Sequence, residues 1–295
     1  MTKKILIAGG TGLIGKQLTV YLRKQGHMVD VLTRNPKHPG EYKWDSEKQI
    51  LDYPNLSQIQ VLINLSGAGI GDARWTNSRK EELMRSRVGT NRFLFENSPQ
   101  MVSLEHFISS SGINAYGFAQ LTESYKENDP FGNDFVSALV RSWEESADLF
   151  QVKCKVCKVR TAVVLDATGG ALNKMLPPIK IGVGSPLGKG DQIMSWIHTD
   201  DLLRIFQHII TRQLEGPYNA LAANTSNAEL MKTLAKVLNK PFFFPKVPEF
   251  VLKLAFGEMS ELLLQGVSAD NSKLRSTGFE FDHSELESTL KDLLS

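Results

Sequence analysis

The chain has 295 residues, a formal net charge of +2 and 41% hydrophobic residues, which is the balance of an ordinary globular protein. It contains no Lys/Arg-rich run of the kind that binds nucleic acid. No stretch reaches the roughly 18 apolar residues of a membrane-spanning helix, and the first apolar run is too short for a signal peptide. We therefore predict a cytoplasmic protein that contacts neither nucleic acid nor a membrane.

The first part of the chain alternates between apolar runs and amphipathic stretches. KKILIAGGTGLIGKQLTVYLRKQGH predicts a strand, a glycine turn and a helix, because a continuous apolar run is followed by Leu18, Tyr21 and Leu22 at helical spacing. Further strands are predicted at MVDVLTR, EYKW, VLINLSGAG, HFISSSG and KVCKVRTAVVL, with helices over 76–97 and in NDFVSALVRSWE. This alternation favours an α/β fold of the Rossmann type, with a doubly wound parallel sheet.

The sequence changes character after KVCKVRTAVVL. Glycines and prolines punctuate residues 169–190, which predicts a loop-rich segment. MSWIHTDDLLRIFQHII then predicts a strand and a helix capped by Thr199 or Asp200. NAELMKTLAKVLNK predicts an amphipathic helix that is capped near Ser226 or Asn227, and the last fifty residues predict short helices.

These elements define a predicted domain organisation. Residues 1–165 are assigned to a Rossmann domain, to whose sheet 192–222 returns. Residues 166–191 and 223–295 are assigned to a smaller, mainly helical C-terminal lobe. The apolar stretch FFFPKVPEFV in this lobe is assigned to the core, with a dimer contact as the alternative. The sequence is compatible with both a monomer and a homodimer as the oligomeric state.

The segment AGGTGLIG predicts a nucleotide-binding loop. Gly9 permits a tight turn, Gly12 lets the backbone approach a pyrophosphate, and Gly15 lets the helix pack closely on the strand. The helix that follows offers free N–H groups and the positive end of its dipole to phosphates. The strand, turn and helix around these glycines make a dinucleotide the predicted cofactor.

The end of the second strand indicates which dinucleotide binds. An NAD site usually has an acid there for the ribose hydroxyls, whereas this chain has Thr33 and Arg34, with Lys37 nearby. A guanidinium is suited to the 2′-phosphate of NADP. Asp30 does not change this prediction, because it precedes the end of the strand. We therefore predict NADP(H) as the cofactor.

The two cysteines, in KCKVCKV, predict no metal site. Zinc binding would need a second pair of ligands, and none is nearby in the sequence. A redox CxxC motif would open a helix, whereas Cys154 and Cys157 lie in a strand-like run, where residues three apart point to opposite faces. Both are predicted to be inert.

Several motifs, in order, resemble the extended short-chain dehydrogenase/reductase superfamily: AGGTGLIG, INLSGAG, FISSSG and SWIHTDDL. GIGDARWTNSRKEELMRSRV, RTAVVLDATGGALNKMLPP and the tail from NAELMKTL to LLLQG resemble its sugar-nucleotide-epimerase-like subfamily, which ends in a domain of unknown function. The glycine loop and this resemblance together imply cofactor contacts from Gly9, Thr11, Gly12, Leu13, Ile14, Gly15, Thr33, Arg34, Leu65, Ser66, Gly67, Glu82, Arg87 and Arg160.

The resemblance also identifies the catalytic positions. The superfamily uses a Ser, a Tyr and a Lys; the Ser position matches Ser111, but the Tyr and Lys positions match Val136 and Val140. Valine cannot transfer a proton, which places ordinary carbonyl reduction and epimerisation in doubt. Arg87 stands at a further position, where the superfamily has Asn. Tyr116 is the remaining candidate proton donor, with a packed loop aromatic as the alternative.

Four residues are candidates for a substrate pocket. Arg74 and Trp75 could bind an anionic planar ligand or could anchor a loop. Lys174 and Trp196 are placed at the edge and floor of the same pocket by the resemblance. The nearby His198 is interpreted as a structural histidine. Three functions remain: an NADP-dependent oxidoreductase or epimerase of unusual mechanism acting on a small anionic substrate, a non-catalytic NADP(H)-binding protein that responds to redox state, and a scaffold in which the nucleotide is structural. The first is favoured.

Overall fold

The structure is a computed structural model that describes residues 2–118 and 124–295. Within these residues, the strands are β1 (Lys4–Ala8), β2 (Met28–Thr33), β3 (Glu41–Asp45), β4 (Ile50–Leu51), β5 (Val61–Asn64), β6 (His106–Gly112), β7 (Lys155–Thr161), β8 (Val163–Leu165), β9 (Ile193–His198), β10 (Gly216–Ala220) and β11 (Ala223–Ser226). The α-helices are α1 (Leu13–Lys24), α2 (Asn77–Met84), α3 (Thr90–Glu96), α4 (Phe135–Asp148), α5 (Gly170–Lys180), α6 (Thr199–Arg212), α7 (Asn227–Val237), α8 (Glu249–Phe256), α9 (Glu261–Leu264), α10 (Ser272–Ser276) and α11 (Leu286–Leu294).

The main sheet of the described chain has eight strands in the order β10-β7-β6-β5-β1-β2-β3-β4. All neighbouring strands are parallel except the pair of β3 and β4. The chain builds outward from β1 through β2 and β3, and then returns to the other side of β1 with β5. The point between β1 and β5 is therefore the topological switch point, where open α/β sheets bind ligands. The predicted Rossmann-type fold is confirmed.

Helices cover both faces of this sheet, because side chains alternate along each strand. Ile5 and Ile7 of β1 pack into a cluster with residues of α1 and α6. Leu6 and Ala8 point to the other face and pack with residues of α3 and the end of α4. Burial on both faces explains why β1 is a continuous apolar run.

The predicted sixth strand, KVCKVRTAVVL, is wrong as a single element. It divides at Ala162, whose N–H donates to the carbonyl of Ala220 at the end of β10. Beyond that point β8 leaves the main sheet and pairs with β9 in a three-stranded sheet of order β11-β9-β8. Of the stretch 192–222, β10 pairs with β7 in the main sheet, whereas β9 lies in this smaller sheet.

Two further predictions need correction. The loop-rich segment contains α5, which includes Pro177 and Pro178; their carbonyls still accept from the N–H groups of Ile181 and Val183. The helix after β9 is capped by His198 and not by Thr199 or Asp200, because the Nδ1 atom of His198 accepts from the N–H of Asp200 at 3.0 Å. The predicted cap of α7 at Ser226 is confirmed.

The C-terminal segments pack on the smaller sheet through a cluster that includes residues of α5, α7 and α11. In FFFPKVPEFV, Phe242 packs against this cluster, but Phe243, Phe244 and Phe250 are exposed. The assignment of the stretch to the core is therefore wrong for most of its aromatic residues. Among the described helices, none has the length and apolar character that crossing a bilayer requires.

Candidate functional site

A cavity of about 1010 Å³ opens at the carboxyl ends of β1, β2 and β5. Gly9, Thr11 and Gly12 line it from the loop after β1, and residues 65–68 line it from the loop after β5. Its position is the switch point of the sheet, so the parallel topology and the cavity select the same edge. The predicted contacts Gly9, Thr11, Gly12, Leu65, Ser66 and Gly67 all reach it.

The glycines of the loop are required by the close approach of backbone segments. Gly9 has a φ of 80°, and a Cβ on it would lie 2.8 Å from the backbone of Leu65 and Ser66. A Cβ on Gly15 would lie 2.3 Å from the carbonyl oxygen of Gly9. Gly12 is the N-cap of α1 and has no side chain that could accept a hydrogen bond. The first N–H groups of the helix therefore have no capping side chain. This end of α1 is suited to an anion.

Leu13 and Ile14 do not line the cavity. The side chain of Leu13 lies against Gly169 and Gly170, where a Cβ on Gly169 would meet it at 2.9 Å. Ile14 packs against the core beneath α1. The side chains of these two residues therefore do not contact a ligand in the cavity. Their contribution to binding would come from their backbone at the start of α1.

Basic and hydrogen-bonding residues surround the end of β2. Thr33, Arg34, Lys37 and His38 line the cavity, and the hydroxyl oxygens of Thr11 and Thr33 are 3.5 Å apart. Asp30 is directed elsewhere: it pairs with Lys4 at 2.7 Å and accepts from the hydroxyl of Tyr53 at 2.8 Å.

The acids of β3 and the following turn that line the cavity are Asp45, Glu47 and, nearest to β2 in the sequence, Glu41. The Oε2 atom of Glu41 accepts from the N–H groups of Lys37 and His38, at 2.7 and 3.2 Å. The bond from Lys37 is the main cause that holds the pKa of the Glu41 carboxyl below its usual range. Glu41 therefore stabilises the turn that carries the basic residues. The sequence analysis missed this role, because Glu41 lies outside the glycine loop and the other motifs.

Glu82 and Arg87 stand on the helical segment that forms the far wall. Glu82 lines the cavity and pairs with Arg79 at 2.6 Å. Arg87 is only 8% exposed and donates to the carbonyls of Ala68 and Leu83. No ion pair of Arg87 is found within 2–118 and 124–295, and burial lowers the pKa of its guanidinium to about 10. A buried cation without a described counter-charge thus lies behind the cavity wall.

The predicted catalytic residues belong to a buried polar cluster. The hydroxyl of Ser111 donates to Glu144 at 2.6 Å. The carboxylate of Glu144 also accepts hydrogen bonds from Nε and Nη2 of Arg160, at 2.8 and 3.0 Å. Arg160 also donates to the hydroxyl of Tyr116, which itself donates to Asn219 at 2.7 Å. Arg160, a predicted cofactor contact, thus pairs with a buried acid and does not line the cavity.

Tyr116 is not a free phenol above the site. It is 1% exposed and stacks on Tyr125 with ring centroids 4.8 Å apart. Burial raises the pKa of its hydroxyl to about 12, against the opposing effect of Arg160. A phenol with this pKa is a poorer proton donor at neutral pH than an ordinary tyrosine. The alternative interpretation, a packed loop aromatic, describes its surroundings.

The helix α4, which carries Val136 and Val140, is packed as its sequence indicates. Asp134 caps it by accepting from the N–H of Ser137 at 2.9 Å. Val136 and Val140 are buried in an apolar cluster with Trp75 and Leu139. Neither position offers a group that can hold or move a proton.

The four predicted substrate residues do not line the 1010 Å³ cavity. Arg74 donates to the carbonyls of Leu254 and Ala255 at the end of α8. The Nε1 atom of Trp75 donates to the carbonyl of Ile70 at 2.9 Å. These contacts are those of a loop anchor.

The other two substrate candidates are also engaged elsewhere. Lys174 bonds to the carbonyl of Gly71 and to Asp72, both at 2.9 Å. Trp196 is 1% exposed and lies in the core between the smaller sheet and the C-terminal helices. Its position on the floor of a pocket was inferred from resemblance alone, and its burial is what a large apolar ring in a central strand favours.

Two family models match the chain. The one described as the NAD dependent epimerase/dehydratase family matches residues 5–220, and the one described as a domain of unknown function (DUF1731) matches residues 247–293. The epimerase family protein SDR39U1 of Mus musculus is 36% identical over 270 residues, covering 89% of this chain and 90% of that protein. The chloroplastic SDR39U1 homolog of Arabidopsis thaliana is 32% identical over 279 residues, covering 89% and 78%.

Solved structures give the same relationship. The crystal structure of human SDR39U1 (isoform 2) with NADPH has a TM-score of 0.90 and 32% identity, and 98% of each chain is covered. The nucleoside-diphosphate sugar epimerase from Corynebacterium glutamicum has a TM-score of 0.79 and 28% identity, covering 100% of this chain and 58% of that one. The match over 5–220 and the relatives above 30% identity identify this chain as a member of the NAD dependent epimerase/dehydratase family.

Proposed function

We propose that this protein binds NADP(H) in the 1010 Å³ cavity, with the pyrophosphate at the N-terminus of α1 and the 2′-phosphate beside Thr33 and Arg34. The observation that carries the proposal is the charge at the end of β2, where Arg34, Lys37 and His38 line the cavity. An NAD site would place a free acid there. Glu41 is close, but its carboxylate already accepts two backbone N–H groups.

The similarity to a protein crystallised with NADPH supports the same cofactor. The glycine loop explains pyrophosphate binding in either dinucleotide, so it does not separate NADP from NAD. The preference therefore depends on the guanidinium of Arg34, which offers a fork of donors to a phosphate.

We further propose that the protein is an NADP(H)-dependent oxidoreductase that acts on a small anionic molecule. Arg87 supports the anionic character, because its Cζ atom lies 3.3 Å from where a Cβ on Gly67 would stand in the cavity wall, and it has no ion pair in the described chain. Hydride transfer to a carbonyl requires a proton for the oxygen. Val136 and Val140 carry none and Tyr116 holds its proton tightly, so the proton would come from water or from the substrate.

A second function is favoured by a separate observation. The hydroxyls of Ser111 and Tyr116 are both hydrogen-bonded within the cluster around Glu144 and Arg160. Neither predicted catalytic hydroxyl is therefore free to contact a substrate. A protein with such a site can bind NADP(H) without turnover and respond to its redox state.

A turnover assay separates the two functions. The protein is mixed with NADPH or NADP⁺ and a panel of small carboxylates, phosphates and their uncharged analogues, and the nicotinamide absorbance is followed. The oxidoreductase proposal expects cofactor consumption with an anionic compound. It also expects Arg87→Met to raise KM at least tenfold, because an ionic hydrogen bond contributes about 1.5–3 kcal/mol, whereas Arg92→Met, at an exposed position, serves as the control.

NADPH binding without consumption of cofactor by any compound in the panel would favour the non-catalytic function. Turnover that is insensitive to Arg87→Met would contradict the anionic substrate while leaving the oxidoreductase intact.

A further inference from the structure

The turn between β8 and α5 lies directly against the start of α1. Leu13, the first residue of α1, contacts this turn: a Cβ on Gly169 would stand 2.9 Å from its Cδ1 atom, and one on Gly170 would stand 3.3 Å from its Cδ2 atom. Gly170 also has a φ of 71°, a conformation that favours glycine. The two glycines therefore leave the space that the side chain of Leu13 occupies.

A hydrogen bond joins the same two segments one helical turn further along α1. The Nε2 atom of Gln17 donates to Oδ2 of Asp166 at 2.6 Å. Residues four apart lie on the same face of a helix, so Leu13 and Gln17 face the turn together. The N-terminal end of α1 is thus fixed to residues 166–170 by one apolar contact and one polar contact.

The carboxylate of Asp166 is itself held firmly. It is 2% exposed, and its other oxygen, Oδ1, accepts from the N–H and the hydroxyl of Thr168, at 2.7 and 2.6 Å. Asp166 directly follows β8, whose Leu165 pairs with His198 of β9, so the carboxylate is attached to the smaller sheet. Burial raises the pKa of the Asp166 carboxyl, but the hydrogen bonds from Thr168 and Gln17 outweigh burial and keep that pKa below its usual range. The group that accepts from Gln17 at neutral pH is therefore an ionised carboxylate.

We propose that Asp166 is a positioning residue of the nucleotide site: through Gln17 it holds the N-terminus of α1 where the first N–H groups of the helix meet the pyrophosphate. Those N–H groups have no capping side chain, because Gly12 is the N-cap. A hydrogen bond weakens steeply when its distance or angle departs from the ideal, so a small shift of α1 lowers the affinity for the pyrophosphate. Asp166 does not line the cavity and acts only through Gln17. This inference rests on the proposed function, which places the pyrophosphate at this helix end.

An exchange of the amide and the carboxylate tests the proposal. Gln17→Glu places two carboxylates against each other. The dissociation constants for NADP⁺ and for NAD⁺, measured by calorimetry at about pH 8, should both rise at least about tenfold, because the two dinucleotides share the pyrophosphate. Adding Asp166→Asn to Gln17→Glu restores a donor and an acceptor with the original net charge. This double variant should bring both constants back to within about twofold of the wild type.

The pH profile separates positioning from a general loss of stability. In Gln17→Glu the two facing carboxylates share one proton as the pH falls, because their repulsion raises the apparent pKa of the pair above that of an ordinary carboxyl. The ratio of the variant's dissociation constant to that of the wild type should therefore fall toward one between about pH 8 and about pH 5. Gln25→Glu adds the same charge at the exposed C-terminal end of α1 and serves as the control. It should bind both dinucleotides as the wild type does at every pH.

Hydrogen exchange in the ligand-free protein tests the contact without any cofactor. The N–H of Lys16 donates to the carbonyl of Gly12 at 3.0 Å. It should exchange at least about tenfold faster in Gln17→Glu than in the wild type and should recover in the double variant. Gln17→Glu that binds both dinucleotides as tightly as the wild type, or a loss that the double variant does not restore, would overturn the proposal. A wild type that binds neither dinucleotide would contradict the proposed function instead, and unchanged exchange at Lys16 would then overturn the positioning role by itself.

Discussion

Replacing Glu144 by glutamine is expected to destabilise the protein strongly and to leave nucleotide binding unchanged. The side chains of Glu144 and Arg160 are 5% and 3% exposed and are joined by two hydrogen bonds. Removing one partner of a buried ion pair leaves the other charge unpaired, which costs about 3–5 kcal/mol. This is a large fraction of the roughly 5–15 kcal/mol by which a domain is stable. The free energy of unfolding is measured by urea denaturation.

Controls for this prediction lie on the same helix and in the same pair. Glu145→Gln changes the exposed neighbour of Glu144 and should have little effect on the free energy of unfolding. The double variant Glu144→Met, Arg160→Met should be more stable than Glu144→Gln, because no charge is left buried. A loss below about 1 kcal/mol in Glu144→Gln would refute the buried pair. NADPH binding that weakens in the folded variant would place the cluster in the nucleotide site.

Three further predictions concern the cavity and the core. Arg34→Ala should weaken NADPH binding by about 10–100-fold in calorimetry and leave NADH binding unchanged, because an ionic hydrogen bond is worth about 1.5–3 kcal/mol; equal losses for both would contradict the role of Arg34. Gly15→Ala should lower Tm and abolish nucleotide binding, since its Cβ would stand 2.3 Å from the carbonyl oxygen of Gly9, whereas Gly89→Ala, which meets no atom within 4 Å, should do neither. Burial lowers the pKa of His106 to about 4, so stability should fall as pH drops from about 6.5 to 4 while the unfolded chain alone takes up the proton, by about 3 kcal/mol in total. His106→Gln should remove this part of the pH dependence of urea unfolding, and an unchanged slope would show that His106 is not the group.

The nucleotide end of the molecule could be predicted because its signals are local. A buried strand, three glycines and the start of a helix follow one another within a dozen residues. At each of these glycines another backbone atom comes close to where a Cβ would stand. The end of β2 is equally local, since Thr33 and Arg34 come directly after an apolar run. The fold class and the position of the cavity follow from these segments and from the alternation of strands and helices.

The surroundings of the catalytic positions could not be predicted, because the partners are distant in the sequence. Ser111 and Glu144 are 33 residues apart, and Tyr116 and Asn219 are 103 apart. Neither Glu144 nor Asn219 belongs to a motif, so no pattern indicated that they would engage the hydroxyls. The resemblance in the sequence did place Val136 and Val140 of α4 at the superfamily's Tyr and Lys positions.

Other differences arise where tertiary contacts override a local preference. The run KVCKVRTAVVL is rich in β-branched residues from end to end, and which sheet each half joins depends on where β10 ends. Arg74 and Trp75 have the chemistry of a ligand site, but their donors are hydrogen-bonded within the protein. Arg74 donates to a carbonyl at the end of α8, and Trp75 donates to the carbonyl of Ile70. Donors of this kind serve a helix end as readily as a ligand.

The central claim is that the cavity at the switch point holds NADP(H), with the extra phosphate at Arg34. Calorimetric titration of the wild-type protein with NADPH and with NADH tests it most directly. The structure leads us to expect saturable binding of NADPH that is at least tenfold tighter than that of NADH, by the worth of one ionic contact. No heat with either dinucleotide, or tighter binding of NADH, would contradict it.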